Sequence, residues 1–135
     1  MSKSMTGVER GQSGQIKVLL VDDEEGYVSV LAKRMTKRQV EVIVALSGAE
    51  AIQTLRKKDF DVAVVDLKME DMDGIEVLKI FKKMDPQLPV VMLTGHGSEQ
   101  AARDGLALGA FDYLTKPCDL EDLLATITKA VERKE

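Results

Sequence analysis

The sequence predicts an α/β fold in which five strand–helix units form one parallel sheet with helices on both faces. Five short apolar runs recur at intervals of roughly 20 to 30 residues, and the first four lack the polar alternation of half-exposed strands. Segments with the apolar spacing of amphipathic helices lie between these runs. Because strand–helix–strand crossovers are right-handed, the helices are expected on both sides of the sheet, as in a doubly wound (βα)5 domain.

Each predicted strand corresponds to one apolar run, and each predicted helix to the apolar stripe that follows it. Ser47 and Glu50 stand at capping-box spacing before the second stripe, and Gly74 precedes the third. The strands are predicted at 18–21, 42–45, 62–65, 90–93 and 113–114, and the helices around 28–35, 51–55, 77–81, 98–108 and 120–131.

The composition is that of one globular domain. The chain has 135 residues, 44% hydrophobic and 31% charged, which is enough to bury about two-thirds of its unfolded surface. Residues 1–15 are polar, rich in Gly and Ser, and aperiodic, so we expect a disordered leader or an expression remnant before a folded domain at 16–135.

Charge and hydropathy exclude several classes of function. A net charge of −4 gives no basic footprint for nucleic acid, so direct binding to it is not expected. No apolar run approaches the roughly 20 residues that cross a bilayer, and the N-terminus lacks the apolar segment of a signal peptide. We therefore expect a cytoplasmic protein with no membrane contact, in which the single cysteine, Cys118, stays reduced.

Polar side chains follow four of the five predicted strands. Asp22 and Asp23 follow the first strand, Asp66 the third, Thr94 the fourth and Lys116 the fifth. Ligands of open parallel sheets bind beyond the carboxyl ends of the strands. If the strand order is 2-1-3-4-5, which we take from flavodoxin-like sheets and not from the residues themselves, all of these side chains converge on one pocket.

Three carboxylates in one pocket require a cation. Two unit charges about 4 Å apart repel by roughly 4 kcal/mol at an effective dielectric constant of about 20. A few oxygen ligands that do not form a full cage suit Mg²⁺, which commonly binds one or two carboxylates together with a phosphate. Asp66 is then a candidate nucleophile for phosphoryl transfer, with the Lys116 ammonium and the Thr94 hydroxyl available to phosphoryl oxygens.

Four separated motifs resemble a bacterial response-regulator receiver domain in type and order. They are the aspartate pair after the first strand, VVDLKMEDMDG around Asp66, LTG with Thr94, and GAFDYLTKP ending in Lys116 and Pro117. The resemblance covers residues 16 to about 133. It implies phosphorylation of Asp66 by a sensor histidine kinase or a phosphotransfer protein, followed by a change at the face of the fourth helix, fifth strand and fifth helix. A homodimer formed on phosphorylation is compatible with it.

The resemblance also implies a metal site, occupied by Mg²⁺ or Mn²⁺. Asp23 and Asp66 would bind the cation directly, Asp22 would help through a water molecule, and the backbone carbonyl oxygen of Lys68 would supply a further ligand. One residue departs from the family pattern, since Glu70 stands where proline is usual. We expect this change to make the loop after Asp66 more acidic and more mobile.

The resemblance assigns the remaining roles around the phosphoryl group. Thr94 would sense it, Lys116 would pair with it, and Tyr113 would change rotamer to report the switch. The Lys116–Pro117 peptide bond is expected to be cis. His96, two residues past Thr94, would lie near the entrance of the site, where side chains influence access of water.

Other interpretations of the same residues remain. Asp22 and Asp23 could cap the first helix, Asp66 could be a turn residue, and Lys116 could be a solvated surface lysine. A phosphatase of the haloacid dehalogenase type would need a second acid two residues after the nucleophile, where Lys68 stands.

Two further rivals are binding modules of the same architecture. A flavin-binding module would need hydroxyls and free amides after the first strand, where four acidic residues stand instead. An interaction module that has lost phosphorylation is disfavoured by the intact acid set. A calcium loop around MEDMDG fails because its first and twelfth positions are Met69 and Ile80.

Overall fold

The computed structural model of the chain describes residues 14–95 and 98–134. The predicted leader at 1–15 lies almost entirely outside the described residues, and so does His96. No helix in the described part of the chain is long and apolar enough to cross a membrane. The elements in chain order are β1 (Ile16–Val21), α1 (Glu25–Lys37), β2 (Val40–Ala45), α2 (Gly48–Lys57), β3 (Val62–Asp66), α3 (Gly74–Met84), β4 (Val90–Thr94), α4 (Glu99–Ala107), β5 (Asp112–Thr115) and α5 (Leu120–Lys134).

The five strands form one parallel sheet in the order β2-β1-β3-β4-β5, which confirms the predicted fold and strand order. In this register Val18 of β1 pairs with Val42 on one side and Val62 on the other. All five strands are longer than their apolar runs. Polar residues such as Lys17, Glu41 and Asp112 pair in the sheet but interrupt the apolar signal.

Side chains on the two faces of the sheet form two separate hydrophobic clusters. Val18 and Leu20 of β1 belong to the cluster under α1 and α5, whereas Leu19 and Val21 belong to the cluster under α2, α3 and α4. All four side chains are fully buried. The strand therefore has no solvent-facing side, which explains why its sequence is a continuous apolar run.

Side-chain caps fix where two of the helices begin. Ser47 Oγ accepts a hydrogen bond from the Glu50 N–H at 3.0 Å, as the capping-box spacing predicts. The Glu50 carboxylate binds the N–H of Leu46, at 2.8 Å, and so reaches one residue before the cap. Asp73 caps α3 by accepting from the Ile75 N–H at 2.7 Å. Both helices start beside the loop that follows β3.

Candidate functional site

Three carboxylates meet at the carboxyl ends of β1 and β3. Asp22 and Asp23 directly follow β1, and Asp66 is the last residue of β3, so adjacent parallel strands deliver them to one edge of the sheet. One oxygen from each residue lies within 4.8 Å of the others. Asp22 and Asp66 are buried and Asp23 is half-buried. The structure thus brings the predicted acidic residues together.

Asp22 binds the segment that enters α1. Its Oδ1 accepts from the Glu24 N–H at 2.9 Å, and its own N–H donates to the Ala45 carbonyl oxygen of β2 at 3.1 Å. Glu24 is the N-cap of α1, and its own side chain forms no capping hydrogen bond. Asp22 thus contacts the start of α1 through the Glu24 N–H, and Asp22 and Asp23 also belong to the pocket at the sheet edge.

The β3–α3 loop, residues 67–73, is attached to the site at Glu70. The Glu70 N–H donates to Asp23 Oδ2 at 2.9 Å, a hydrogen bond that the usual proline could not make because it lacks this N–H. The substitution thus ties the loop to a candidate metal ligand. This hydrogen bond should restrain the loop, whereas the sequence led us to expect a more mobile one. The greater mobility of the loop stays a prediction.

The same loop is also attached to the start of α2. Both oxygens of Asp71 accept backbone hydrogen bonds at 3.0 Å, from Gly48 and Ala49, and these bonds lower the pKa of the Asp71 carboxyl. A Cβ atom at position 48 would lie only 2.9 Å from Met72 Cβ, so the loop packs tightly on that turn. We call this contact of Asp71 with α2 the loop clamp.

Asp66 occupies the centre of the pocket, where its charge is disfavoured. Burial, followed by the charge of Asp22, raises the pKa of Asp66 to about 6, although Lys116 and the Lys68 N–H act in the opposite direction. The Lys68 N–H lies 3.4 Å from Asp66 Oδ1. Gly74 packs on the peptide of Asp66, and a Cβ there would lie 2.7 Å from Leu67 Cα. A nearby cation would stabilise the charge of such a poorly solvated carboxylate, and the three carboxylates could hold a metal ion.

Lys116 reaches the carboxylates from the end of β5. Its Nζ lies 2.7 Å from Glu24 Oε1, 2.9 Å from Asp22 Oδ2 and 3.5 Å from Asp66 Oδ2. Burial alone would lower the pKa of Lys116, but these carboxylates raise it above its ordinary value, so the ammonium stays charged. The Lys116–Pro117 peptide bond is cis, as expected. The surface-lysine interpretation is wrong, because the Lys116 side chain is only 14% exposed.

Thr94 and Tyr113 lie on the neighbouring strands β4 and β5. The Thr94 side chain is buried, and its hydroxyl donates a long hydrogen bond, 3.4 Å, to the Leu114 carbonyl oxygen of β5. Tyr113 is half-buried and packs against the cluster under α2, α3 and α4. Thr94 therefore stands at the same sheet edge as the carboxylates, while Tyr113 packs on one face of the sheet.

Comparison with known proteins decides the family. A family profile described as "Response regulator receiver domain" matches residues 18–128. This chain belongs to the response regulator receiver family. The receiver domain is 38% identical over 116 residues to the transcriptional regulatory protein GlrR of Escherichia coli K12, covering 86% of this chain and 26% of that protein. It is 36% identical over 118 residues to ZraR of Salmonella typhimurium, covering 87% and 27%.

Solved receiver structures share the whole fold of this domain. A response regulator receiver domain protein from Clostridium thermocellum superposes with a TM-score of 0.85 at 33% identity, covering 88% of this chain and 96% of that one. The receiver domain of Francisella response regulator 1452 gives 0.82 at 30% identity, covering 90% and 100%. Against the curated relatives, by contrast, this receiver domain spans about a quarter of their length. Receiver domains are signalling switches, and these relatives are transcriptional regulatory proteins.

Sequence reasoning missed two neighbours of Lys116 in this receiver domain. Glu24, one of the four acidic residues after the first strand, forms an ion pair with Lys116. Lys116 Nζ also lies 4.7 Å from the centroid of the Tyr27 ring. The spacing along the sequence could have indicated Tyr27. This residue stands at i+4 from Asp23, so its side chain is expected on the same side of the chain as the acidic pocket.

Proposed function

We propose that this receiver domain is the phosphoacceptor of a two-component system, which takes a phosphoryl group from a histidine kinase, or another phosphohistidine carrier, onto Asp66. One observation carries the proposal. The buried Asp66 carboxylate lies where two further carboxylates and one ammonium converge, and burial with charge repulsion raises its pKa. A structural ion-pair network would not need three acids around one lysine.

The donor set fits a hard divalent cation, Mg²⁺ or Mn²⁺. Three carboxylates offer one oxygen each within 4.8 Å of one another, and such oxygens are the ligands these cations prefer. Asp23 and Asp66 would hold the cation directly, Asp22 would act through a water molecule, and the Lys68 carbonyl oxygen would add a ligand. The cation supplies positive charge that offsets the repulsion between these acids and an incoming phosphoryl group.

The transfer itself uses Asp66 as the nucleophile. A carboxylate oxygen of Asp66 forms a bond to phosphorus, the bond between phosphorus and the donor histidine nitrogen breaks, and its electron pair stays on that nitrogen. Lys116 then pairs with a phosphoryl oxygen, and its raised pKa keeps it cationic for this purpose. The chain is in this sense a switch that takes part in its own phosphorylation.

Thr94 and Tyr113 carry the change outward in this proposal. The Thr94 hydroxyl, held to Leu114 by a long hydrogen bond, turns to the phosphoryl oxygens, and Tyr113 fills the space vacated. Because Tyr113 lies on β5, this rearrangement alters the face formed by α4, β5 and α5. Output is then a change in what that face binds, which includes a second copy of the chain.

The proposal places the domain in the cytoplasm, where a kinase or phosphotransfer protein can reach it. The relatives are named as transcriptional regulatory proteins, but their receiver-like portion is about a quarter of their length. The net charge of −4 offers no basic surface for DNA. Any contact with nucleic acid would therefore belong to another domain or partner.

Incubation with acetyl phosphate and Mg²⁺, followed by intact-mass spectrometry, tests the proposal. We expect one phosphoryl mass on the wild type, none on Asp66→Ala, and normal labelling of Asp59→Ala, which removes an exposed aspartate away from the pocket. Labelling of Asp66→Ala to the wild-type level would refute the assignment. Steady, many-turnover release of phosphate from assorted phosphomonoesters would support the haloacid dehalogenase alternative instead.

A further inference from the structure

The ammonium of Lys116 rests against an aromatic ring that the proposed phosphotransfer does not use. Tyr27 lies in the first turn of α1, and the centroid of its ring is 4.7 Å from Lys116 Nζ. A cation within about 6 Å of an aromatic face is attracted by the negative charge density above the ring. Tyr27 is half-buried, which weakens screening of this attraction by water.

The far end of the ring lies close to Cys118, two residues after Lys116. The Tyr27 hydroxyl and the Cys118 thiol influence each other's pKa. Both side chains pack against the cluster under α1 and α5. Burial raises the pKa of Tyr27 to about 12 and also raises that of Cys118, so both groups stay neutral. The segment that carries Lys116 thus packs beside Tyr27 through Lys116 itself and through the cluster that Cys118 shares with the ring.

The charged groups around Lys116 are all carboxylates, so an uncharged side chain is best suited to hold the ammonium in place. Its anionic partners are the buried Asp22 and Asp66 and the Glu24 side chain, which is 62% exposed. With carboxylates alone, a flexible lysine would be free to follow Glu24 toward solvent. The ring attracts the ammonium without adding another negative charge to compete with phosphoryl oxygens.

We propose that Tyr27 is a positioning residue for Lys116, holding the ammonium beside Asp66 so that it meets the incoming phosphoryl group. The inference rests on the proposed phosphorylation of Asp66. In this role the ring provides the contact with the ammonium, and the hydroxyl is not required. The phenyl ring of phenylalanine should therefore suffice, while an aliphatic side chain should not.

The variants Tyr27→Phe, Tyr27→Leu and Leu124→Ala separate positioning from packing. Leu124 packs against the same cluster from α5, so its truncation loosens the cluster without removing the ring. The first readout is the chemical shift of the Lys116 Cε protons in the unphosphorylated protein, which the ring should move upfield. We expect the shift to remain in Tyr27→Phe and Leu124→Ala and to vanish in Tyr27→Leu.

The second readout is the affinity for beryllofluoride, a phosphoryl mimic, in the presence of Mg²⁺. We expect a loss of about three- to tenfold in Tyr27→Leu, and less than about twofold in Tyr27→Phe and Leu124→Ala. The rate of labelling by acetyl phosphate should follow the same order. If Tyr27→Leu does not fold, Tyr27→Met, which keeps an unbranched apolar side chain, replaces it.

The outcomes are distinguishable. Wild-type affinity and an unchanged Lys116 shift in Tyr27→Leu would overturn the inference and leave the proposed function intact. Equal losses in Tyr27→Leu and Leu124→Ala would also overturn it, because packing would then explain both. If the wild type binds no beryllofluoride, the proposed function fails and the role of Tyr27 with it, although the proton shift would still report the contact.

Discussion

Glu24 Oε1 lies 2.7 Å from Lys116 Nζ, whereas Asp66 Oδ2 lies 3.5 Å from the same atom. The lysine that is proposed to serve the phosphoacceptor is thus shared with an exposed glutamate at the entrance to α1. The two acids differ in burial, since the Asp66 side chain is 6% exposed and that of Glu24 is 62% exposed. Any anion that joins Asp66 must compete with Glu24 for one ammonium.

Replacing Glu24 by glutamine should strengthen binding of the phosphoryl mimic. Exposed ion pairs contribute up to about 1 kcal/mol, so Glu24→Gln should raise the affinity for beryllofluoride by up to about fivefold. A titration followed by NMR in the presence of Mg²⁺ measures this. Glu25→Gln, one residue further along at an exposed position, should leave the affinity unchanged. A weaker affinity in Glu24→Gln would show that the glutamate assists the site.

The raised pKa of Asp66 should make stability depend on pH. Because burial and then Asp22 raise this pKa from 3.8 to about 6, the folded protein keeps a proton that the unfolded chain loses between these values. Stability is therefore fully present below about pH 4 and falls as the pH rises through about 6. The metal-free Asp66→Asn variant should exceed the wild type in unfolding free energy by roughly 2 kcal/mol at pH 8.

Urea unfolding of both proteins at pH 4 and pH 8, with EDTA, measures this difference. We expect it to shrink toward zero at the lower pH, which is well below the folded pKa of about 6 and close to the ordinary value of 3.8 in the unfolded chain. A constant difference across the range would mean that the substitution acts through packing and not through charge. Addition of Mg²⁺ at pH 8 should stabilise the wild type and reduce the difference.

Gly74 should be intolerant of any side chain. In Gly74→Ala the new Cβ would clash with the Asp66 carbonyl oxygen and lie 2.7 Å from Leu67 Cα, so the start of α3 or the end of β3 must shift. We expect a loss of about 2 kcal/mol or more in unfolding free energy. Gly26→Ala is the matched control, because nothing lies within 4 Å of its Cβ and the helix should gain roughly 0.5 kcal/mol. Equal effects in the two variants would contradict the close approach.

The loop clamp should contribute to stability as a helix cap does. Asp71→Ala removes the acceptor of two backbone hydrogen bonds at the start of α2, and we expect a loss of about 1 kcal/mol in urea unfolding at pH 7. Asp73→Ala, which removes a cap of α3, should cost a similar amount. The two variants should differ in one respect, since only Asp71→Ala should increase amide exchange at Gly48 and Ala49. Unchanged exchange there would show that the clamp is not formed in solution.

Much of the fold was predictable because its strands are buried on both faces. A strand such as β1, with neighbours on both sides and helices above and below, can be read directly as an apolar run. Strand ends were not predictable in the same way, since Lys17 and Glu41 pair in the sheet while remaining partly exposed. The apolar pattern of a sequence indicates which residues are buried. Backbone pairing between strands continues past the buried residues, so the pattern does not show where a strand ends.

The carboxylate pocket was predictable for a different reason. In a parallel sheet every carboxyl end points to the same edge, so Asp23 and Asp66 could be placed together from their position after two strands. The contacts of Lys116 could not be predicted in this way. Glu24 lies 92 residues away in the sequence, and the ion pair between the two depends on the rotamers of two long side chains. The loop clamp likewise depends on how a loop turns, which spacing alone does not determine.

The close approach of Gly74 to the Asp66 peptide has a consequence for how a signal would leave the site. The first turn of α3 occupies the space into which the acceptor backbone would otherwise retreat. A phosphoryl group on Asp66 would consequently be held at one position by the backbone of β3. The side chains that respond to it would be those at the ends of β4 and β5. In the proposed switch, read-out would then be directional, because the α3 side of the site is packed tightly against the Asp66 peptide.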